Sequence, residues 1–184
     1  MLKKAYILLA TGFEEIEAVS IIDILRRAGV EIETISISEN RQISGAHNIE
    51  ILADTLFDET DFSNGDMLIF PGGQPGTDNL NSQKKIKKLI QTYYGQQKYI
   101  AAICAAPLIF GEMGLLQGKK AVCYPGYEDR LLGAEIAQNE CVVVDGNIIT
   151  SKGAGTAIEF ALKLVEILVG QETAEILKKK MIVK

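Results

Sequence analysis

Short apolar runs alternate with amphipathic segments of helical period along the whole chain, and few folds accommodate that pattern. Strands that read as near-continuous apolar runs must be covered on both faces. The intervening helices can supply that cover, so the expected class is α/β, with a mostly parallel central sheet between two helical layers. Apolar strand-forming runs occupy residues 5–10, 31–38, 67–70, 99–103, 121–123, 141–144 and 148–150. The last two flank Asp145-Gly146-Asn147, a hairpin-turn sequence. Helical periodicity marks residues 14–28, 82–94, 105–113, a short piece near 127–132, 155–169 and 172–180. No repeat, linker or low-complexity stretch divides the 184 residues, which suit one domain with a full core.

The balance of charge and cysteine narrows the function classes. A net charge of -5 offers no basic footprint, so nucleic acid is not an expected partner. No apolar run reaches bilayer length, and the first residues lack the features of a secretory leader, so a cytoplasmic protein is expected. Three cysteines, an odd number without CxxC or paired Cys/His spacing, argue for reduced thiols rather than a disulfide framework or metal site. Cys123 and Cys141 lie in apolar runs and are expected in the core.

Cys104 stands apart, at the corner where the strand 99–103 turns into the helix 105–113. Such a strand-to-helix corner lifts a nucleophile above the sheet and faces it with backbone N–H groups. The first helical turn aims unpaired N–H groups and a positive dipole end at the sulfur, favouring thiolate over thiol. Pro107 fits, because the N–H it lacks would be unpaired there anyway. The alternative is a packed core cysteine.

Two further features converge on this corner. At about 100° per residue, Glu17 falls inside the apolar arc of its helix, among Ala18, Ile21, Ile22, Ile24, Leu25 and Ala28. A carboxyl group placed there must be hydrogen-bonded, protonated, or both, unless it stays wet near the helix start. Ile16 and Val19 point the opposite way, an exposed apolar pair that suggests a second copy of the chain as partner. The second feature is Pro71-Gly72-Gly73-Gln74-Pro75-Gly76, after the strand 67–70, whose glycines let N–H groups approach a ligand. A cysteine hydrolase usually adds a histidine base. The single histidine, His47, sits in a polar surface-loop sequence, and position 105 is alanine.

With these residues in view, the chain resembles the ThiJ/PfpI superfamily. Within it, the similarity is to the branch containing the parkinsonism-associated protein deglycase and its bacterial relatives. The likeness runs through Gly12-Phe13-Glu14-Glu15-Ile16-Glu17, Arg26-Arg27-Ala28-Gly29, Pro71-Gly72-Gly73, residues 101–107, Thr150-Ser151-Lys152-Gly153 and Gly155-Thr156-Ala157. The resemblance implies a flavodoxin-like three-layer sandwich with a nucleophile elbow, and a homodimer packed partly through the first helix. It also implies that Cys104 is a reactive, oxidisable cysteine and Glu17 a protonated acid hydrogen-bonded to it, with Gly73 and Ala105 supplying N–H groups around the sulfur. Two positions depart from the pattern: Tyr124 stands where close relatives carry a histidine, and Ala105 where the protease-like branch does.

The resulting expectation is a Cys-Glu enzyme of the glycation-repair or small-carbonyl kind, a deglycase or glyoxalase. Its substrates would be methylglyoxal or glycated protein, and no cofactor or metal is expected. In that scheme Cys104 attacks the carbonyl, Glu17 moves the proton, and the N–H groups of Gly73 and Ala105 hold the oxyanion. The alternative is an oxidative-stress sensor or holdase chaperone in which Cys104 becomes a sulfinic acid. A cysteine peptidase or amidase is disfavoured.

Overall fold

Side chains along each central strand alternate between two apolar layers, so the sheet is buried on both faces. In β1 (Lys4–Leu9), Ala5, Ile7 and Leu9 enter one core cluster, whereas Tyr6 and Leu8 enter the other. The computed structural model describes residues 2–183. After β1 come α1 (Glu15–Arg27), β2 (Glu31–Ser36), β3 (Gln42–Ser44), β4 (Glu50–Leu52), β5 (Thr55–Leu56) and β6 (Met67–Phe70). The chain continues through α2 (Gly76–Ser82), α3 (Lys84–Gly95), β7 (Tyr99–Ile103), α4 (Pro107–Glu112) and β8 (Lys120–Ala121). It ends with β9 (Glu135–Ile136), β10 (Val142–Asp145), β11 (Ile148–Ser151), α5 (Ala157–Val169) and α6 (Gln171–Lys180).

Seven strands form the central sheet in the order β10-β11-β7-β6-β1-β2-β5. All neighbours are parallel except the β10–β11 hairpin. Register aligns Ile7, Ile69, Ala101 and Ile149 across four adjacent strands, all facing the same core. On that face α1 and α5 pack together, and α3 and α4 cover the other. This is the mostly parallel α/β sheet between helical layers that the sequence pattern implies, in the flavodoxin-like form that the resemblance implies. Each apolar side chain fully buried in these layers favours folding by about 1.5–3 kcal/mol. No helix among the described residues is long and apolar enough to cross a membrane.

Helix α1 shows how local chemistry sets an element's ends. The Glu14 side chain caps its start by accepting the Glu17 backbone N–H at 2.7 Å. Arg26 and Arg27 fall in the last turn, where positive charge complements the dipole. Gly29, at φ +76°, then reverses the chain towards β2.

Several elements differ from the sequence-based expectation. The helix expected at 82–94 is preceded by α2, and the two are separated at Gln83, whose ψ of 109° is extended. Of the expected strand 121–123 only Ala121 lies in a strand, β8, which pairs with β9 outside the central sheet. Beyond it the backbone is used otherwise: Val122 N–H donates to Thr150 Oγ1 and Tyr124 N–H to the Cys104 carbonyl. The β3–β4 hairpin and the two-residue β5 were not anticipated. Each is too short for alternation to register above its polar surroundings.

Strand order changes direction between β1 and β6, since β2 lies on one side of β1 and β6 on the other. In open sheets such a switch point leaves a crevice beyond the carboxyl ends of the strands. The loops after β1, β6, β7 and β11 all open there.

Candidate active site

Cys104 occupies the turn after β7 with φ +64°, a left-handed conformation uncommon for a residue with a side chain. Two backbone hydrogen bonds hold it there: its N–H donates to Ser151 O at 3.0 Å, and its carbonyl accepts from Tyr124 N–H at 2.8 Å. Pro107 sits at the first position of α4. The helix starts two residues later than expected, because Ala105 and Ala106 form the turn that leads into it. The N–H groups of Ala105 and Gly73 both point at the sulfur and pull the thiol pKa down.

Glu17 is completely buried, which rules out a wet carboxylate near the helix start. Its Oε2 accepts the Gly72 N–H at 2.8 Å, and its carboxyl group lies against the Cys104 thiol. Glycine at position 72 is what lets the two groups meet. A Cβ there would lie 2.5 Å from Cys104 Cβ, 2.9 Å from Glu17 Oε2 and 3.0 Å from Sγ. Gly73, at φ +91°, turns its N–H towards the same point. The four residues singled out from sequence, Cys104, Glu17, Gly73 and Ala105, are thus brought together in the crevice.

Electrostatics at the pair differ from the thiolate expectation. Burial pushes Glu17 up to about 7, against the opposing Gly72 and Cys104 hydrogen bonds. Burial also pushes the Cys104 thiol up to about 12, reinforced by the charge of Glu17 and by its hydrogen bond. The N–H groups of Ala105 and Gly73 favour the thiolate, but desolvation outweighs them while Glu17 is ionised. The site accommodates one negative charge rather than two. Glu17 Oε1 is buried without a well-formed hydrogen-bond partner. A neutral acid removes that cost, since its O–H can turn to the sulfur and carry the proton while the charge resides there.

The remaining polar residues of sequence interest lie elsewhere or serve other ends. His47 is committed to Glu15: Nδ1 and Glu15 Oε2 are 2.8 Å apart, and the His47 N–H donates to Oε1 at 2.6 Å. Glu15 is buried by this loop contact, a long-range arrangement that the helical wheel of α1 does not reveal. Glu14, Glu15 and His47 place three potential ligand atoms within 4.8 Å of one another. The Glu15–His47 pair and the capping role of Glu14 account for the group without a metal. Cys123 is buried, as expected, and burial pushes its thiol up to about 12. Cys141 is only partly buried. Tyr124 borders the crevice and was known from sequence only as a departure from pattern. Gly153, 49 residues after Cys104 and part of the motif 150–153 noted in the sequence, lies between its ring and the sulfur.

Residues 3–167 match the DJ-1/PfpI family. The chain is 41% identical over 173 residues to Protein DJ-1 homolog B of Arabidopsis thaliana, covering 94% of this chain but only 40% of that protein. It is 33% identical over 181 residues to the Caenorhabditis elegans protein named Glutathione-independent glyoxalase DJR-1.2, covering 97% and 96% of the two chains. The crystal structure of Drosophila melanogaster DJ-1beta superposes with a TM-score of 0.95 at 33% identity, both chains covered in full.

The elevated Glu17 pKa ties stability to pH. Below the ordinary value of 4.5 the group is protonated in folded and unfolded chains alike; between 4.5 and about 7 the unfolded chain releases its proton first. Stability due to neutral Glu17 is therefore lost as pH rises through that window, by about 3 kcal/mol in all. Urea denaturation of wild type and Glu17→Gln between pH 4.5 and 8 should show the variant gaining on wild type by that amount. A pH-independent difference would mean that Glu17 ionises normally in the folded protein.

Proposed function

Because the chain belongs to the DJ-1/PfpI family, we propose that it is a cysteine-dependent small-carbonyl or glycation-repair enzyme of the glyoxalase or deglycase kind. The observation that carries this reading is the buried Glu17 carboxyl against the Cys104 thiol, with two N–H groups aimed at the sulfur. A relative covering nearly the same length is named a glutathione-independent glyoxalase, and the chemistry suits a site that uses its own thiol.

The Cys104 sulfur adds to the aldehyde carbon of methylglyoxal, and the new oxyanion is held by the N–H groups of Gly73 and Ala105. The resulting hemithioacetal keeps its C–H. Glu17, holding the proton that left the thiol, first gives it to the oxyanion. As a carboxylate it then removes the C–H proton, and the electron pair moves towards the neighbouring ketone, whose oxygen takes the proton back to give an enediol. Reprotonation at the adjacent carbon yields a lactoyl thioester without net oxidation. Water then hydrolyses the thioester, releasing lactate and restoring the thiol. Glu17, with a pKa near neutrality, both takes and returns the proton. A deglycase outcome begins one step earlier: the hemithioacetal or aminocarbinol adduct reverts, its protein thiol or amine leaving as the aldehyde carbonyl re-forms, and the freed 2-oxoaldehyde then follows the same steps.

The decisive measurement is lactate formed from methylglyoxal without glutathione. Cys104→Ser should abolish it, and Glu17→Gln should lower kcat by about 10²-fold or more. Lactate production that persists in Cys104→Ser removes the mechanism.

A second reading rests on the same donors. The N–H groups of Gly73 and Ala105 and a protonated Glu17 would also hold the oxygens of a sulfinic acid, as a stress sensor requires. After limited peroxide treatment, mass spectrometry should find two added oxygens on Cys104 before Cys123 or Cys141 is modified. Oxidation of the latter two with Cys104 intact defeats this reading.

A homodimer forms part of the proposal. Ile16 and Val19 are 59% and 48% exposed on α1, and Leu52 of the β3–β4 hairpin is 68% exposed. Val19 and Leu52 line one cleft with Ile22 and Ile51, bordered by the polar residues Asp23, Arg26, Thr34 and Asp54, an apolar centre with a polar rim of the kind that copies of a chain bury together. Sedimentation should give a dimer, shifted to monomer in Val19→Asp; a wild-type monomer at micromolar concentration contradicts this.

A further inference from the structure

Tyr124 lies beside the nucleophile. A Cβ built on Gly153 would stand 3.2 Å from Tyr124 Cδ2, 3.7 Å from its Cε2 and 3.9 Å from Cys104 Sγ. The ring edge and the sulfur therefore flank the same small volume. Gly153 has extended backbone angles, φ 161° and ψ -168°, which any residue could adopt. Its lack of a side chain is thus accounted for by space rather than by conformation: a Cβ would press on the ring and stand between it and the sulfur.

The ring is held rather than free. Its backbone N–H donates to the carbonyl of Cys104 itself. The Tyr127 ring meets it edge to face, with centroids 6.4 Å apart and planes at 77°. Tyr127 Oη in turn lies 3.4 Å from Gln74 Nε2, next to the Gly73 whose N–H faces the sulfur. The two tyrosines form an aromatic wall from Gly153 to the glycine loop, and Tyr124 remains half exposed. Aromatic faces bind flat π-systems by offset or edge-to-face contact, whereas a methyl substituent covers little of such a surface.

We infer that Tyr124, braced by Tyr127, determines substrate preference at Cys104, and that the favoured substrates are 2-oxoaldehydes carrying an aryl group. This rests on the carbonyl-enzyme reading above. The chemistry is the same balanced sequence: sulfur addition to the aldehyde carbon, proton transfer through an enediol, and hydrolysis of the thioester, with phenylglyoxal giving mandelate.

The test compares kcat/KM for phenylglyoxal and methylglyoxal in wild type, Tyr124→Phe and Tyr124→Ala. The phenylglyoxal-to-methylglyoxal ratio should fall by about tenfold in Tyr124→Ala, chiefly through KM, and be retained in Tyr124→Phe. A general disturbance of the elbow would lower both substrates together and leave the ratio intact, which would overturn the inference. Equilibrium binding of the two products, mandelate and lactate, separates this from the catalytic reading. Tighter mandelate binding that disappears in Tyr124→Ala supports the wall even if neither aldehyde is turned over. Equal affinities in wild type refute it even if both are.

Discussion

One carboxyl group buried beneath one thiol organises this end of the molecule. Glu17 has no route to water, so its protonation and the sulfur's are a joint property, and every neighbouring backbone feature serves that contact. Gly72 is bare because the sulfur and the carboxyl oxygen fill the space of its side chain. Cys104 takes a left-handed φ because only then does the thiol leave the strand towards α1. Gly12, at φ +87°, lets the first loop press against Pro75, where a Cβ would come within 2.5 Å of the proline ring. The loop after β6 is thereby fixed over the thiol, and Glu14 N–H to Gly72 O, at 2.9 Å, joins it to the start of the helix that bears Glu17.

In the proposed reaction, the charge arrangement lets a chain lacking a histidine near the thiol hold a nucleophile in reserve. A Cys-His pair stores its reactivity as opposite charges, whereas the Cys-Glu pair shares a single negative charge between two acids. Near neutrality the proton has comparable affinity for solvent and for Glu17, so moving it costs little. The Ala105 and Gly73 N–H groups oppose, without overcoming, the burial that keeps the proton on the sulfur. They also face the position where an adding carbonyl would develop its own charge.

Much of this was legible in the chain. Glu17 revealed itself as a charged residue inside an apolar arc, and Cys104 as a polar atom between an all-apolar strand and a proline-initiated helix. These signals are local, because helical and strand periods decide which side chains face the core. What escaped depended on contacts distant in sequence. Burial of Glu15 follows from the loop 44–49 folding over it, and the use of Val122 and Tyr124 backbone groups follows from β11 and the elbow lying alongside. The opposition between burial and the helix dipole at Cys104 was hidden for a related reason: a helix dipole can be read from sequence, but the depth of burial that opposes it cannot.

The ends of the central sheet bear on how copies of this chain can meet. β5 at one end is only two residues long. At the other, β10 is shielded where Lys120 N–H and Lys119 Nζ both bind Asp145. Neither margin offers a long row of free peptide groups, so the sheet is a poor template for strand addition and for the runaway stacking that such edges invite. Recognition is left to side-chain surfaces such as α1. There each exposed residue can be altered singly, without disturbing the hydrogen-bonded ladder that sets the spacing of the loops.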